Sequence, residues 1–340
     1  MDEELKFPED YIARFDTQEF RKLILDIKEK IKTGYHLSDK VTFDKEIDKV
    51  IVCGMGGSAI AGLLLKDYLH ELDLSLHVNQ DYHLPSFANK KTLVIASSYS
   101  GNTEEVLSAY KHAQRKSCPT VCLTSGGTLQ KLAKNYRTPV VSLPKGIPPR
   151  ETMTQEFFAL LKILEHTGIV ESRENEVKKV IKEIKPGAVE KSAVGLSEKL
   201  VGKIPIIYAS NKFGSVAYRW KTQMNENAKV HAFCNEFSEL NHNEILGFEN
   251  KFADFHVIIL KFETDFYRNK KRMSITKKLI EERGTHVTEI EIKGKDILTA
   301  MFNSILLGDL TSYYLTLRYA LNPFPVKIIE ELKKDLGTFI

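Results

Sequence analysis

Short apolar runs, each followed by a polar turn and a helical pattern, constrain the fold of this chain most strongly. They lie at residues 49–53, 74–78, 93–96, 120–124 and 140–143, and again at 204–209, 255–260 and 286–292. Strands that alternate with helices in this way form parallel sheets covered by helices on both faces. The pattern predicts an α/β protein, and its recurrence after residue 200 predicts two flavodoxin-like or Rossmann-like domains.

Length and charge distribution suggest bounds for these domains. The 340 residues, 42% of them hydrophobic, suffice for two cores of ordinary size. We expect a helical segment at residues 1–45, packed on the outside of a first α/β domain at 46–165. A charged inter-domain helix at 166–200 would lead to a second α/β domain at 201–340, which ends in a helix.

Composition argues against several classes of partner. The net charge of +4 is spread over 49 basic and 45 acidic side chains, so nucleic acid is not an expected partner. The four cysteines contain no CxxC pair, which is typical of thiols in a reducing compartment. No run approaches the length of a membrane span, and the charged start of the chain lacks the apolar core of a signal peptide. The expected location is therefore the cytoplasm.

A serine-rich turn at residues 97–105 follows one of the buried strands and precedes a helix. Four hydroxyls surround Gly101 there; they belong to Ser97, Ser98, Ser100 and Thr103. Hydroxyl donors, free N–H groups and the positive end of a helix dipole together can bind a phosphate without a lysine. The alternative is simple helix capping, but one cap explains only one hydroxyl. The turn therefore predicts an anion site.

A glycine-rich turn at residues 54–59 follows the first strand and opens another helix. It contains Gly57 and Ser58, and strand, glycine turn and helix form the usual phosphate-loop arrangement. Gly54-x-Gly56-x-x-Ala59 also matches the dinucleotide fingerprint, so a dehydrogenase that binds NAD is an alternative. That fingerprint expects an acidic residue about 20 positions later, and Asp81, the candidate for it, comes slightly late. Both turns follow strand ends, which predicts one shared phosphate pocket.

Three further residues, a cation, a carboxylate and an imidazole, are candidates for catalytic roles. Arg150 ends a stiff proline-rich loop, where a cation could be held in place for anionic chemistry. Glu226 lies near the end of a helix, and its alternative role is an exposed pair with Lys229. His242 lies between two asparagines in a loop, a setting that suits proton transfer.

Together these segments resemble the bifunctional phosphoglucose/phosphomannose isomerases, which consist of two sugar-isomerase (SIS) domains. The resemblance extends from about residue 45 to the end of the chain. It is carried by residues 54–58, 98–103, 148–150, 225–227 and 241–244. It implies that the sugar phosphate binds to Gly57, Ser58, Ser98, Ser100 and Thr103.

The same resemblance implies the catalytic roles. Arg150 would stabilise the enediolate, Glu226 would carry the proton between C1 and C2, and His242 of a second subunit would assist ring opening. Lys333 of the last helix would approach the ring oxygen, with Lys334 as the alternative. Members with dual specificity can carry a threonine before that lysine, and this chain has none from residue 321 to residue 334.

The implied function is a homodimeric aldose-ketose isomerase that needs no cofactor and no metal. It would interconvert glucose 6-phosphate and mannose 6-phosphate with fructose 6-phosphate through a cis-enediolate. The sequence contains no ligand spacing such as H-E-x-x-H, in agreement with a metal-independent reaction. The alternatives are a sugar-phosphate-binding SIS protein without catalysis, an NAD-dependent dehydrogenase and a metal-dependent mannose isomerase.

Overall fold

The computed structural model describes residues 7–38, 41, 46–250, 252–294 and 296–337. These residues fall into two compact units. The first unit is Ile27–Ile181, and the second combines Met1–Asp26 with Lys182–Ile340. Each unit contains a parallel β-sheet with helices packed against it. The predicted α/β class with two parallel sheets is confirmed.

Strands and helices alternate along most of the chain. The strands are β1 (Lys49–Cys53), β2 (Ser75–Asn79), β3 (Thr92–Ser97), β4 (Thr120–Thr124), β5 (Val140–Ser142), β6 (Ile204–Ser210), β7 (Phe233–Phe237), β8 (Phe255–Phe262) and β9 (His286–Ile292). The helices are α1 (Glu9–Phe15), α2 (Phe20–Leu25), α3 (Ile27–His36), α4 (Gly56–Tyr68), α5 (Glu104–Arg115), α6 (Gly127–Asn135), α7 (Met153–His166), α8 (Glu174–Glu183), α9 (Pro186–Lys199), α10 (Gly214–Glu226), α11 (Tyr267–Glu281), α12 (Ile297–Arg318) and α13 (Lys327–Leu336).

The sheet of the first unit has the strand order β2-β1-β3-β4-β5, with every pair parallel. Strands β3 and β4 are buried along their whole length, because both faces of the sheet are covered. Cys53 at the end of β1 pairs with Ala96 near the end of β3. The loops that follow these two strands therefore start side by side.

The sheet of the second unit has the order β7-β6-β8-β9 and is also parallel. The sequence pattern did not predict β7. Its five residues include Asn235 and Glu236 and are mostly half-buried, as expected for a strand at the edge of a sheet. A search for continuous apolar runs misses such a strand.

The N-terminal helices differ from the expected arrangement. Residues 1–6, 39–40 and 42–45 of the expected 1–45 segment lie outside the described residues. Helices α1 and α2 belong to the second unit, because Tyr11 donates to the Leu317 carbonyl (2.8 Å) and Tyr313 donates to Asp16 (2.9 Å). Only α3 packs on the first unit, where Lys30 forms an ion pair with Glu151 (3.0 Å). The N-terminal segment therefore supplies two helices to the second unit and one helix to the first.

The expected inter-domain helix at residues 166–200 is two helices, α8 and α9. Helix α9 begins at Pro186, whose ring fixes its φ angle and removes its N–H group. Proline fits the first turn of a new helix but breaks a continuous one, so the chain ends α8 at Glu183. Counting charged residues without giving weight to this proline led to the wrong expectation of one helix.

Helix α12 forms the core of the second unit. Its side chains are almost all buried, and a Cβ added at Gly308 would lie 2.7 Å from the ring of Trp220 on α10. Beside this contact, Arg219 forms a buried bidentate ion pair with Asp309 (3.0 and 2.9 Å). Although α12 has 22 residues, no helix in the described part of the chain has the length and apolarity of a membrane span.

Candidate active site

The candidate site of the first unit lies beyond the carboxyl ends of β1 and β3. The chain continues from β1 to β2 on one side and returns to β3 on the other, so the strand order reverses between β1 and β3. Ligands of parallel α/β sheets bind in the crevice at such a reversal. The glycine-rich turn follows β1 and the serine-rich turn follows β3, as the sequence predicts.

The serine-rich turn is held together by its own hydroxyls. Ser98 Oγ lies 2.8 Å from Thr103 Oγ1 and accepts a hydrogen bond from the Gly101 N–H (3.1 Å). Thr103 precedes α5 but does not cap it with its side chain. Ser98 is buried, Thr103 is half-buried and Ser100 is exposed. The hydroxyls thus line a turn at the start of a helix whose first N–H groups receive no cap from Thr103, which supports the anion site over simple capping.

Gly101 is required by this turn for two reasons. Its φ angle is +68°, a region that residues with a side chain rarely adopt. A Cβ at this position would also lie only 1.9 Å from the carbonyl oxygen of Gly126, in the loop after β4. The turn can therefore close only with a glycine between Ser100 and Thr103.

Gly57 brings the proline-rich loop against the first turn of α4. A Cβ at Gly57 would lie 2.9 Å from the carbonyl oxygen of Pro149 and 3.3 Å from the Cα of Arg150. Arg150 lies in a 3-10 turn, Pro149–Glu151, and is buried, with 3% of its surface exposed. The structure thus brings the backbone of Arg150 to the loop that follows β1.

A buried glutamate behind these loops was not anticipated from the sequence. Glu156 on α7 is fully buried, accepts a hydrogen bond from Ser97 (2.7 Å) and lies 2.8 Å from Thr152 Oγ1. Burial raises the pKa of Glu156, and the Ser58 and Ser97 hydroxyls act in the opposite direction. The only local indication of this buried acid in the sequence is that Glu156 directly precedes the apolar run of α7.

Glu226 is the last residue of α10 in the second unit and is half-buried. Its neighbours fix the end of this helix. Asn227 is buried and donates to Ser312 Oγ (3.0 Å), and Asn225 donates to the Val230 carbonyl (2.8 Å). Lys229 donates to the backbone carbonyl of Glu226 (2.6 Å). The two asparagines of the sequence motif therefore hold the backbone on either side of the candidate base.

His242 ends a 3-10 turn, Glu239–His242, and its side chain is exposed. Asn241 donates to Thr276 (2.8 Å), and Asn243 donates to Glu239 (2.7 Å). The flanking amides thus stabilise the turn and leave the imidazole accessible. Among the described residues, the His242 side chain has no hydrogen bond or ion pair.

Lys333 and Lys334 lie on α13, a helix in which no residue is buried. Both side chains are exposed. Within the described ranges, neither lysine side chain forms a hydrogen bond or an ion pair. The structure thus does not bring Lys333 into contact with Glu226 or His242, which lie in the same unit.

The second unit has an equivalent crevice, between β6 and β8, but carboxylates occupy it. Asp265 accepts hydrogen bonds from the Ser210 hydroxyl and from the Phe262 N–H. The Glu236 carboxylate lies against the first residue of α10, where a Cβ on Gly214 would be 2.0 Å from Oε1. Ionised carboxylates in these places repel a phosphate.

Two parallel α/β units, the first with a hydroxyl-rich turn at its strand reversal, define a protein of the sugar-isomerase (SIS) class. The model of the bacterial phospho-glucose isomerase C-terminal SIS domain matches residues 189–336. The bifunctional phosphoglucose/phosphomannose isomerase of Caldicellulosiruptor bescii is 39% identical over 331 residues, 92% of this chain and 98% of that relative. The enzyme of the same name from Thermoplasma volcanium is 36% identical, over 88% and 97% of the two chains. The chain belongs to the bifunctional phosphoglucose/phosphomannose isomerases.

Solved structures agree with this fold. The C-terminal domain of glucosamine-fructose-6-phosphate aminotransferase from Francisella tularensis superimposes with a TM-score of 0.69. The match covers 90% of this chain and 97% of that domain at 14% sequence identity. At this identity the similarity establishes the architecture alone.

Proposed function

We propose that the protein interconverts glucose 6-phosphate and mannose 6-phosphate with fructose 6-phosphate, without a metal or a cofactor. The observation that carries this proposal is the hydroxyl-rich cradle at the strand reversal, with the backbone of Arg150 packed against Gly57. A sugar phosphate held there places its reacting carbons at a fixed distance from the anchored phosphate. Family membership supports the same reaction.

The phosphate is held in this proposal by Gly57, Ser98, Ser100 and Thr103, with Ser58 in the first turn of α4. Ser100 is exposed, and its hydroxyl oxygen accepts from the Asn102 N–H (3.2 Å), so its own proton can be donated to a ligand. The N–H groups at the starts of α4 and α5 add the positive ends of two helix dipoles. Binding energy from the phosphate orients the sugar without participating in the chemistry.

Glu226 is the proposed base. Its carboxylate takes the proton from C2 of the aldose, and the electron pair of that C–H bond forms the C1–C2 double bond, which leaves the negative charge of the enediolate on the C1 oxygen. A proton then moves from the C2 hydroxyl to the C1 oxygen. Glu226, whose proton exchanges with solvent, delivers a proton to C1 while the C2 oxygen becomes the carbonyl of the ketose. Such a general base contributes about 10²–10⁴-fold to the rate. The Arg150 guanidinium stabilises the negative charge of the enediolate.

Ring opening is assigned to His242 and Lys333. We place His242 in the active site of a second copy of the chain, so the enzyme is a homodimer; its exposed imidazole supports this role. Lys333 donates to the ring oxygen, with Lys334 as the alternative. The described cysteines are free thiols, which supports a reducing, cytoplasmic location.

The proposal is tested by incubating the protein with fructose 6-phosphate and following both aldose products by NMR, with and without EDTA. We expect both products in either case, no product with Glu226→Gln, and normal activity with the control Glu281→Gln. Glu281 is likewise the last residue of its helix, but it is exposed. Sugar-phosphate binding without products in the wild type would identify a binding protein instead. Activity lost on chelation would identify a metal enzyme, and NAD binding without any response to sugar phosphates would identify a dehydrogenase.

A further inference from the structure

Glu156 connects two segments of the candidate phosphate site. Ser97 precedes Ser98 at the end of β3, and Thr152 follows the turn that contains Arg150. The hydroxyls of both contact the one carboxyl group, which is completely buried. Among the described residues, no lysine or arginine forms an ion pair with it.

The contacts of Thr152 indicate where a proton lies. Thr152 Oγ1 is 2.8 Å from the Pro149 carbonyl oxygen and 2.8 Å from Glu156 Oε1. A carbonyl oxygen only accepts hydrogen bonds, so the single hydroxyl proton of Thr152 is used by Pro149. The contact with Glu156 then needs a proton from the acid. A protonated Glu156 satisfies both contacts, and its other oxygen accepts from Ser97.

We propose that Glu156 is a positioning residue that keeps its proton and clamps the loops of the phosphate site from behind. A neutral acid at this position also favours phosphate binding, because an ionised carboxylate directly behind the loops would repel the phosphate dianion. The nearby Glu151 carboxylate has a cation, because Lys30 pairs with it at 3.0 Å, and Glu156 has no such cation among the described residues. This inference rests on the proposed function, because it assigns the anion site to a sugar phosphate.

Glu156→Gln distinguishes a protonated acid from a carboxylate. An amide has the shape of the protonated acid, donates to Thr152 through its nitrogen and accepts from Ser97 through its oxygen. We expect this variant to keep the wild-type KM for fructose 6-phosphate and the wild-type affinity for inorganic phosphate. Aspartate at this position is too short to reach both hydroxyls. KM and the Kd for inorganic phosphate should therefore rise about tenfold in Glu156→Asp, the effect of one lost hydrogen bond, with a smaller change in kcat.

The control is Glu165→Gln, on the same helix, where the carboxylate accepts from Tyr35 at 2.7 Å. It should lower the melting temperature without changing phosphate affinity. Infrared difference spectra between wild type and Glu156→Gln should contain the carbonyl band of a protonated carboxylic acid. Absence of that band, or a Glu156→Gln defect as large as that of Glu156→Asp, would overturn the protonated state.

Unchanged phosphate affinity in a folded Glu156→Asp variant would overturn the positioning role. These readouts do not depend on turnover. A wild-type protein that binds phosphate and shows the acid band but forms no aldose would refute the isomerase proposal and leave this inference intact.

Discussion

Replacing Gly57 with alanine tests the contact between α4 and the Arg150 turn. The new Cβ would lie 2.9 Å from the Pro149 carbonyl oxygen, whereas ordinary contact begins at 3.4 Å. The difference of 0.5 Å must be taken up by backbone, because the second close atom is the Arg150 Cα at 3.3 Å. The turn that carries Arg150 therefore has to move away from the site by about half an ångström.

The expected cost in stability is small, and the expected cost in activity is larger. Overpacking of this kind costs about 1 kcal/mol at the low end of its range, and the better helix propensity of alanine offsets part of that cost. A misplacement of 1 Å costs about 10² in rate, so half of that displacement predicts about a tenfold lower kcat. The KM for fructose 6-phosphate should rise as well, since Gly57 lies in the proposed phosphate site.

Steady-state kinetics and thermal melting of Gly57→Ala test this expectation. The control is Gly195→Ala in the middle of α9, where a Cβ meets no atom within 4 Å. That variant should keep full activity and gain up to about 1 kcal/mol of stability from helix propensity. If Gly57→Ala has wild-type kcat and KM, the packed position of the Arg150 turn does not matter for catalysis, and the reasoning from this contact is refuted.

Three further predictions follow from the second unit. Gly308→Ala should destabilise the protein by about 1–3 kcal/mol, seen as a lower melting temperature, because the new Cβ meets the rigid Trp220 ring at 2.7 Å; an unchanged melting temperature would contradict this. Mixing inactive Glu226→Gln and His242→Ala dimers should restore about a quarter of wild-type activity if His242 acts across the dimer, and no recovery would place it in its own subunit. Burial lowers the pKa of His256 to about 4, so the unfolded state takes up a proton at a higher pH than the folded state does. As the pH is lowered from about 6.5 to 4, the free energy of unfolding should fall by at most about 1.4 kcal/mol per pH unit. Urea denaturation should measure this fall in the wild type and a smaller one in His256→Gln.

The parallel sheets were predictable because their central strands are continuous apolar runs. Strands β4 and β9 begin and end at the predicted residues, and β1 does as well. Burial on both faces removes polar residues from such strands, so local sequence carries the whole signal. The edge strand β7 has water on one side and lacks that signal.

Elements whose position depends on distant partners could not be predicted. The first helices join the second unit through hydrogen bonds such as that of Tyr11 with Leu317, more than 300 positions away. The local pattern shows an amphipathic helix but does not identify the surface that buries it. The break at Pro186 is different, because the proline itself is a local signal for the start of a new helix.

The candidate site also contains residues that the local sequence identifies and residues whose role depends on distant partners. Gly57, Ser98 and Thr103 lie in two turns that have a recognisable local chemistry, and the structure places both turns at the strand reversal. Glu156 and the Glu236 carboxylate act through the tertiary fold, because their partners Ser97 and Asn211 lie 59 and 25 positions away in the sequence. Sequence therefore identifies groups that face a ligand more readily than groups that position them.

Deuterium incorporation tests the central claim most directly, namely that Glu226 moves a proton on a sugar anchored in this cradle. Fructose 6-phosphate is incubated with enzyme in D₂O, and deuterium at C1 of the ketose and at C2 of both aldoses is measured by NMR. The account predicts incorporation with the wild type and none with Glu226→Gln, although that variant still binds the sugar phosphate. Incorporation at the wild-type rate by Glu226→Gln would contradict it.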